Sequence, residues 1–220
     1  MAETDDSKLS RLHDFFNSYG PGRLDGLDRS YFAEMTPGEQ AQAWDFLLHG
    51  FPDSVDHING LYLLDKVRAI ALFKKELDAP VPPSEFTAER KEIEINRLLM
   101  LRYVTHADDA AHYLAMLPAF ARSEFEEVRT QFAQSLSSYN ATSEAVIGLK
   151  GMIHTETERL PLASAITALM DLHGMSYDPF DLDQRSIYML LRSSEPDEKR
   201  TGISRLEAIR PLAGKNRAQE

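Results

Sequence analysis

The chain has no cysteine, which excludes disulfides, thiolate nucleophiles and thiolate metal sites at one stroke and suits a reducing compartment. It also lacks any apolar run approaching the roughly 20 residues that a membrane span requires. The opening residues, Met-Ala-Glu-Thr-Asp-Asp-Ser-Lys, carry neither the basic nor the apolar region of a secretory signal. Glycine and proline, 11 of each, sit mostly at turns, and 43% hydrophobic residues are enough to build a core, so disorder is not expected. Together these absences predict a soluble, cytoplasmic protein. Positive charge is the remaining shortage.

Against 35 acidic residues stand 24 Lys and Arg, for a net charge of −11. The imbalance is uneven: residues 1–110 hold 20 acids and 12 bases (−8), residues 111–220 hold 15 and 12 (−3). Duplex binding depends on Lys and Arg displacing counterions, so nucleic acid and anionic membrane are poor partners for this surface. Acidity either serves solubility alone or answers a basic protein partner.

Nowhere do Val, Ile, Thr and aromatics alternate with period two between turn signals, so no sheet is expected. Helical spacing is found instead. Leu9, Leu12, Phe15 and Phe16 mark a first helix from about Ser7, ended by Gly20-Pro21-Gly22. A short second helix is predicted over 25–35 on Leu27, Tyr31 and Phe32. Thr36-Pro37-Gly38-Glu39 reads as a capping box opening a third, with threonine as N-cap, proline at N1 and glutamate at N3. From Asp56 to Leu77 the apolar positions Ile58, Leu61, Leu64, Val67, Ile70 and Leu72 fit one kinked helix or two joined at Asp65-Lys66. Residues 78–87 form the one proline-rich segment, with three prolines in four positions favouring an extended connection.

From Lys91 to Ile153 two segments can be overlaid. In the first, Leu98, Leu101 and Val104 lead past Tyr103 to the break Thr105-His106-Ala107-Asp108, after which Ala111, Leu114 and Leu117 resume the spacing. In the second, Val128, Phe132, Ala133 and Leu136 lead to Tyr139, and Val146, Leu149 and Ile153 follow the turn at Asn140. A shift of about 36 residues, within the range of helical-pair repeats, superposes Met100 on Leu136, Tyr103 on Tyr139 and Met116 on Met152. A looser third pair follows: Leu162, Ile166, Leu169 and Leu172 up to Gly174, then Leu182, Ile187, Leu190 and Leu191. A last helix, 197–209, turns Ile203, Leu206 and Ile209 inward. The expectation is an all-α single domain of about nine or ten helices, over 1–220.

This pattern resembles HEAT-like α-helical repeats over Thr36–Ile209, and Val128-Arg129 is similar to the family's Val-Arg step. The resemblance implies antiparallel helix pairs stacked as a short right-handed solenoid; a globular bundle is the alternative. The units depart from the family consensus in lacking its regular proline and Asp/Arg pair. HEAT-like hydroxylases hold iron through His-Glu steps, whereas the seven histidines here precede Asp, Gly, Ile, Ala, Tyr, Thr and Gly. No two histidines stand three or four apart as helical zinc ligands would.

No Gly-x-Ser-x-Gly, phosphate loop or dinucleotide fingerprint is present. The nearest chemical constellation is Asp108 with His112, one helical turn apart, beside Tyr103 and Tyr139, which would suit a small ligand or a metal-dependent enzyme. A different recurrence favours binding. Asp108, Asp109, Glu144 and Asp183 fall at or near the start of the second helix of successive pairs, and Asp56 holds the corresponding place earlier. In a solenoid such starts form a row, although first-turn acids also serve the helix dipole. Trp44 on its apolar stripe is a core residue or an interface anchor. The reading that results is a non-enzymatic module with no cofactor and no bound metal, holding a basic partner protein on Asp56, Asp108, Asp109, Glu144 and Asp183. Toxin-neutralising immunity proteins are the analogous class.

Overall fold

Local signals set most helix ends. At Thr36 the hydroxyl accepts from the Glu39 amide at 3.3 Å while the Glu39 carboxylate accepts from the Thr36 amide at 2.8 Å, so the capping box opens α2, Pro37–His49. The Thr36 amide and the Thr36 hydroxyl, which also donates to Glu39 Oε2 at 2.8 Å, hold the Glu39 carboxyl below its ordinary pKa. Thr36→Ala removes one side of this exchange and is expected to cost about 1 kcal/mol, read as a lower urea midpoint with an unchanged slope. Asp65 serves two helices: its amide closes α3, Val55–Leu64, on Leu61, and its carboxylate caps α4, Lys66–Asp78, by accepting from Arg68 at 3.0 Å. The predicted joint is thus one residue long.

The computed structural model describes residues 8–18, 26–106, 110–137 and 140–209. These residues are all-helical, with eleven α-helices, two 3₁₀ segments and no strand among them. The remaining helices are α1 (Lys8–Asn17), α5 (Thr87–Val104), α6 (Ala111–Leu114), α7 (Glu126–Ser135), α8 (Ser143–Thr155), α9 (Arg159–Leu172), α10 (Leu182–Arg192) and α11 (Pro196–Ile209). The chain divides into two compact units, Met1–Ala107 and Asp108–Glu220. The division falls inside the first of the two overlaid segments.

In the N-terminal unit α1 packs on α2, α2 on α3, and α3 on both α4 and α5, which also pack together. The core holds Leu12, Trp44, Leu47, Ile58, Leu61, Phe73, Leu98 and Leu101. Trp44 is buried, with the Arg68 guanidinium 4.0 Å above its ring. Two predicted features differ. The helix expected over 25–35 is only a 3₁₀ turn at Arg29–Tyr31, because the Asp28 carboxylate captures the Ser30 amide at 2.6 Å and Glu34 takes a positive φ of 64°. On α4 the buried stripe is Ala69, Phe73 and Leu77, leaving Val67 80% exposed.

In the C-terminal unit α7 packs on α9, α8 on α9 and on a 3₁₀ segment at Leu117–Arg122, and α10 on α9 and α11. The second helix expected from Ala111 onward is a single turn, α6, followed by that 3₁₀ segment, since Pro118 cannot supply an amide to continue the α ladder. Gly174, with φ +70°, ends α9 as predicted. At Gly202 a Cβ would lie 3.0 Å from Leu190 Cβ, so the glycine allows the close approach of α11 to α10. Two polar ties cross this unit, one buried and one partly buried. Lys199 Nζ donates to the Ile153 carbonyl at 2.6 Å, adding positive charge to the last turn of α8. Arg129 donates from Nε and Nη2 to the two oxygens of Glu156, at 2.6 and 3.2 Å, and from Nη1 to Ser123 O.

Candidate functional site

Three of the five predicted contact carboxylates lie within the described residues. Asp56, Glu144 and Asp183 are each the second residue of their helices, α3, α8 and α10. None is an N-cap; those are Ser54, Thr142 and Asp181, of which Thr142 and Asp181 accept backbone amides. Second-position carboxylates are favoured by the helix dipole, and Glu144 and Asp183 are exposed. Asp108 and Asp109 lie outside the described residues, as does Tyr139. No group of three or more His, Asp or Glu that could hold a metal occurs among the described residues.

Two members of the Asp108/His112 constellation lie within the described residues, one in each unit. Tyr103 belongs to the N-terminal unit, where its hydroxyl donates to Asn59 Oδ1 at 2.6 Å and its ring stacks on Tyr62 at 3.9 Å. Burial raises its pKa above the usual phenol value, so it stays protonated and keeps that donor. His112 belongs to the C-terminal unit and meets Tyr113 edge-on at 5.0 Å.

The feature that sequence spacing did not single out surrounds Asp183. Leu182, expected to face the core, is 78% exposed, and Phe180 beside it is 91% exposed. Leu182 and the exposed Met189 are seven residues apart and share a face of α10. Ile209, also expected inward, is 55% exposed at the end of α11. Asp178, Asp181 and Asp183 interleave with the first two apolar residues.

The loop that presents them is internally bonded. Asp178 Oδ1 accepts from the Phe180 amide at 2.9 Å, and the Asp178 amide donates to Gln184 Oε1 at 2.8 Å. Asp181 Oδ1 accepts from the amides of Asp183 and Gln184 at 2.9 and 3.0 Å, and Oδ2 from Gln184 Nε2 at 3.2 Å. Tyr177 stacks on Tyr188 of α10 with centroids 4.4 Å apart. Phe180 is therefore held out in water by a pre-shaped turn, which reduces the ordering entropy a partner must offset. The signal available in sequence was the alternation Asp-Pro-Phe-Asp-Leu-Asp after a helix stop.

The chain matches no protein-family model, no curated protein and no solved structure.

Proposed function

We propose that the chain is a non-enzymatic protein-binding module that holds a basic partner, with Phe180 and Leu182 as apolar anchors and Asp178, Asp181 and Asp183 as the charged surround. The observation that carries this reading is a phenylalanine 91% exposed on a turn fixed by its own acidic neighbours. Aromatic anchors dominate interface energies, while flanking charges act mainly on encounter rate and partner choice. Net charge of −11 adds long-range attraction for a basic surface. Glu144, exposed at the start of α8, adds a carboxylate in the same unit, and Asp56, Asp108 and Asp109 are proposed as further contact carboxylates from their spacing in the sequence.

The HEAT-like arrangement belongs to the proposal as well. Direct packing of α7 on α9, the first helices of consecutive pairs, is what stacked pairs require. No helix among the described residues is long and apolar enough to cross a membrane, in keeping with a cytoplasmic binding role. An immunity protein occluding a basic toxin is the particular form this role takes by analogy; a toxin gene beside this one would support it.

Affinity capture from the native host tests the proposal, using the wild-type chain and a Phe180→Ser/Leu182→Ser double variant as paired baits. Wild type is expected to retain a basic polypeptide at moderate salt, and the double variant to lose it. Because both side chains are exposed, unfolding free energy should stay within about 0.5 kcal/mol. Equal retention on the two baits, or recovery of the wild-type chain alone, sinks the reading.

A further inference from the structure

A cavity of about 520 Å³ opens within the N-terminal unit, where the turn at Pro52-Asp53, the end of α4, the proline-rich segment and the first turns of α5 meet. Its size lies in the range of small-molecule sites. Ile93, Met100, Pro52 and Pro82 supply apolar wall, and Asp53, Glu89 and Glu92 supply exposed carboxylates. Acidic side chains alone are common on this chain. Asn96 sets the place apart.

Asn96 lines the cavity and is 3% exposed. Its Nδ2 donates to the Pro52 carbonyl at 2.9 Å, which fixes the amide orientation, since the flipped amide would set two acceptors against each other. Oδ1 is consequently a buried acceptor that receives no hydrogen bond from the protein. Such an atom calls for a donor. The cation lining the cavity, Arg97, does not supply it: Nη1 and Nη2 donate to the carbonyls of Glu76 and Leu77 at 3.3 and 2.7 Å, which places its charge at the negative end of α4. The cavity thus combines apolar wall and a surplus of negative charge with an unspent acceptor that neighbouring atoms cover almost completely.

We propose that this cavity binds an organic cation, an ammonium or guanidinium group on an apolar stem, whose N–H donates to Asn96 Oδ1. The stem lies along Ile93 and Pro82, and Glu89 and Glu92 balance the charge. Anions are repelled, and a neutral amide of the same length forgoes the charge-assisted part of the bond. The cation can be a free small molecule or an arginine or lysine side chain of a polypeptide. This site is in the unit that does not carry Phe180, and the two proposals stand or fall separately.

Titration of the full chain with agmatine, with the tripeptide acetyl-Gly-Arg-Gly-amide and with neutral pentanamide decides the matter, followed by calorimetry and by the Asn96 side-chain amide resonance in nitrogen-15 spectra. Agmatine or the tripeptide is expected to saturate at low millimolar concentration or below and to shift that resonance, while pentanamide leaves it in place. Tighter binding of agmatine identifies a free cation as the source, and tighter binding of the tripeptide a polypeptide side chain. Asn96→Leu should weaken binding about 10-fold or more. Since that change also frees Pro52, Glu89→Gln/Glu92→Gln on exposed side chains provides the second arm, with about threefold weaker binding and unchanged melting. No shift with either cation, equal binding of pentanamide, or undiminished affinity in the glutamine variant overturns the assignment.

Discussion

Replacing Arg129 by methionine is expected to lower stability by about 2–4 kcal/mol at neutral pH, and by much less in acid. The Glu156 side chain is 6% exposed and the Arg129 side chain 16%. Removing the guanidinium leaves a carboxylate in a site that desolvates it, and the amides of Thr157 and Glu158, at 3.1 and 3.0 Å, remain as its donors. In the wild type, burial pushes the Glu156 carboxyl up, but the Arg129 hydrogen bonds, the Glu158 amide, the Arg129 charge and the Thr157 amide together bring it below its ordinary value.

A carboxyl with a depressed folded-state pKa contributes stability that is fully present above the unfolded pKa of about 4.3. That contribution is lost as pH falls through the folded value. The methionine variant never has it, so the gap between the two proteins should be widest near pH 7 and close toward about pH 3. Urea denaturation of both proteins across that window measures the gap directly. A penalty that stays constant with pH would mean that the salt bridge is not its source and that lost packing of the arginine stem is.

Phe132→Ala should cost about 3–5 kcal/mol. Phe132 is fully buried on α7, the helix that packs on α9, and Val128 and Ala133 beside it are buried to the same degree. Truncation removes the ring from water-free surroundings and leaves a cavity that two helices cannot close without giving up their other contacts. The companion change Ile147→Ala on α8 removes an apolar side chain that is 64% exposed, and should stay within about 0.5 kcal/mol. Denaturant midpoints at constant slope compare the two. Similar losses for both variants would contradict the burial pattern of this unit.

Features set by neighbouring residues were legible in the sequence. The capping box at Thr36, the joint at Asp65 and the stop at Gly174 depend on bonds or dihedral angles within a few residues, and each is found where the spacing placed it. Helix faces were legible only where one solution dominated. On α4 the sequence offers Val67 and Ile70 as well as Phe73 and Leu77, and tertiary packing chose the aromatic side. Around Arg29 a side chain to backbone bond from Asp28 outweighed a weak helical pattern.

The sites were less legible, for two different physical reasons. Phe180 and Leu182 look like core residues by hydropathy, and only the turn at Asp178 and the register of α10 show that they are not. The cavity at Asn96 draws on Pro52, Glu76 and Pro82, which are distant in the chain. An asparagine between Ile95 and Leu98, in the middle of a buried helical face, was its one local trace.

Asp65 turns the chain from one helix into the next with no spare residue on either side. Such a corner has no slack, and foreign sequence spliced there would unfasten a helix end and a helix start together. The exposed stretch at Val81-Pro82-Pro83 has no such double duty. A fluorescent or affinity insert is better tolerated there on the folding side, although it would stand at the mouth of the Asn96 cavity and shut it.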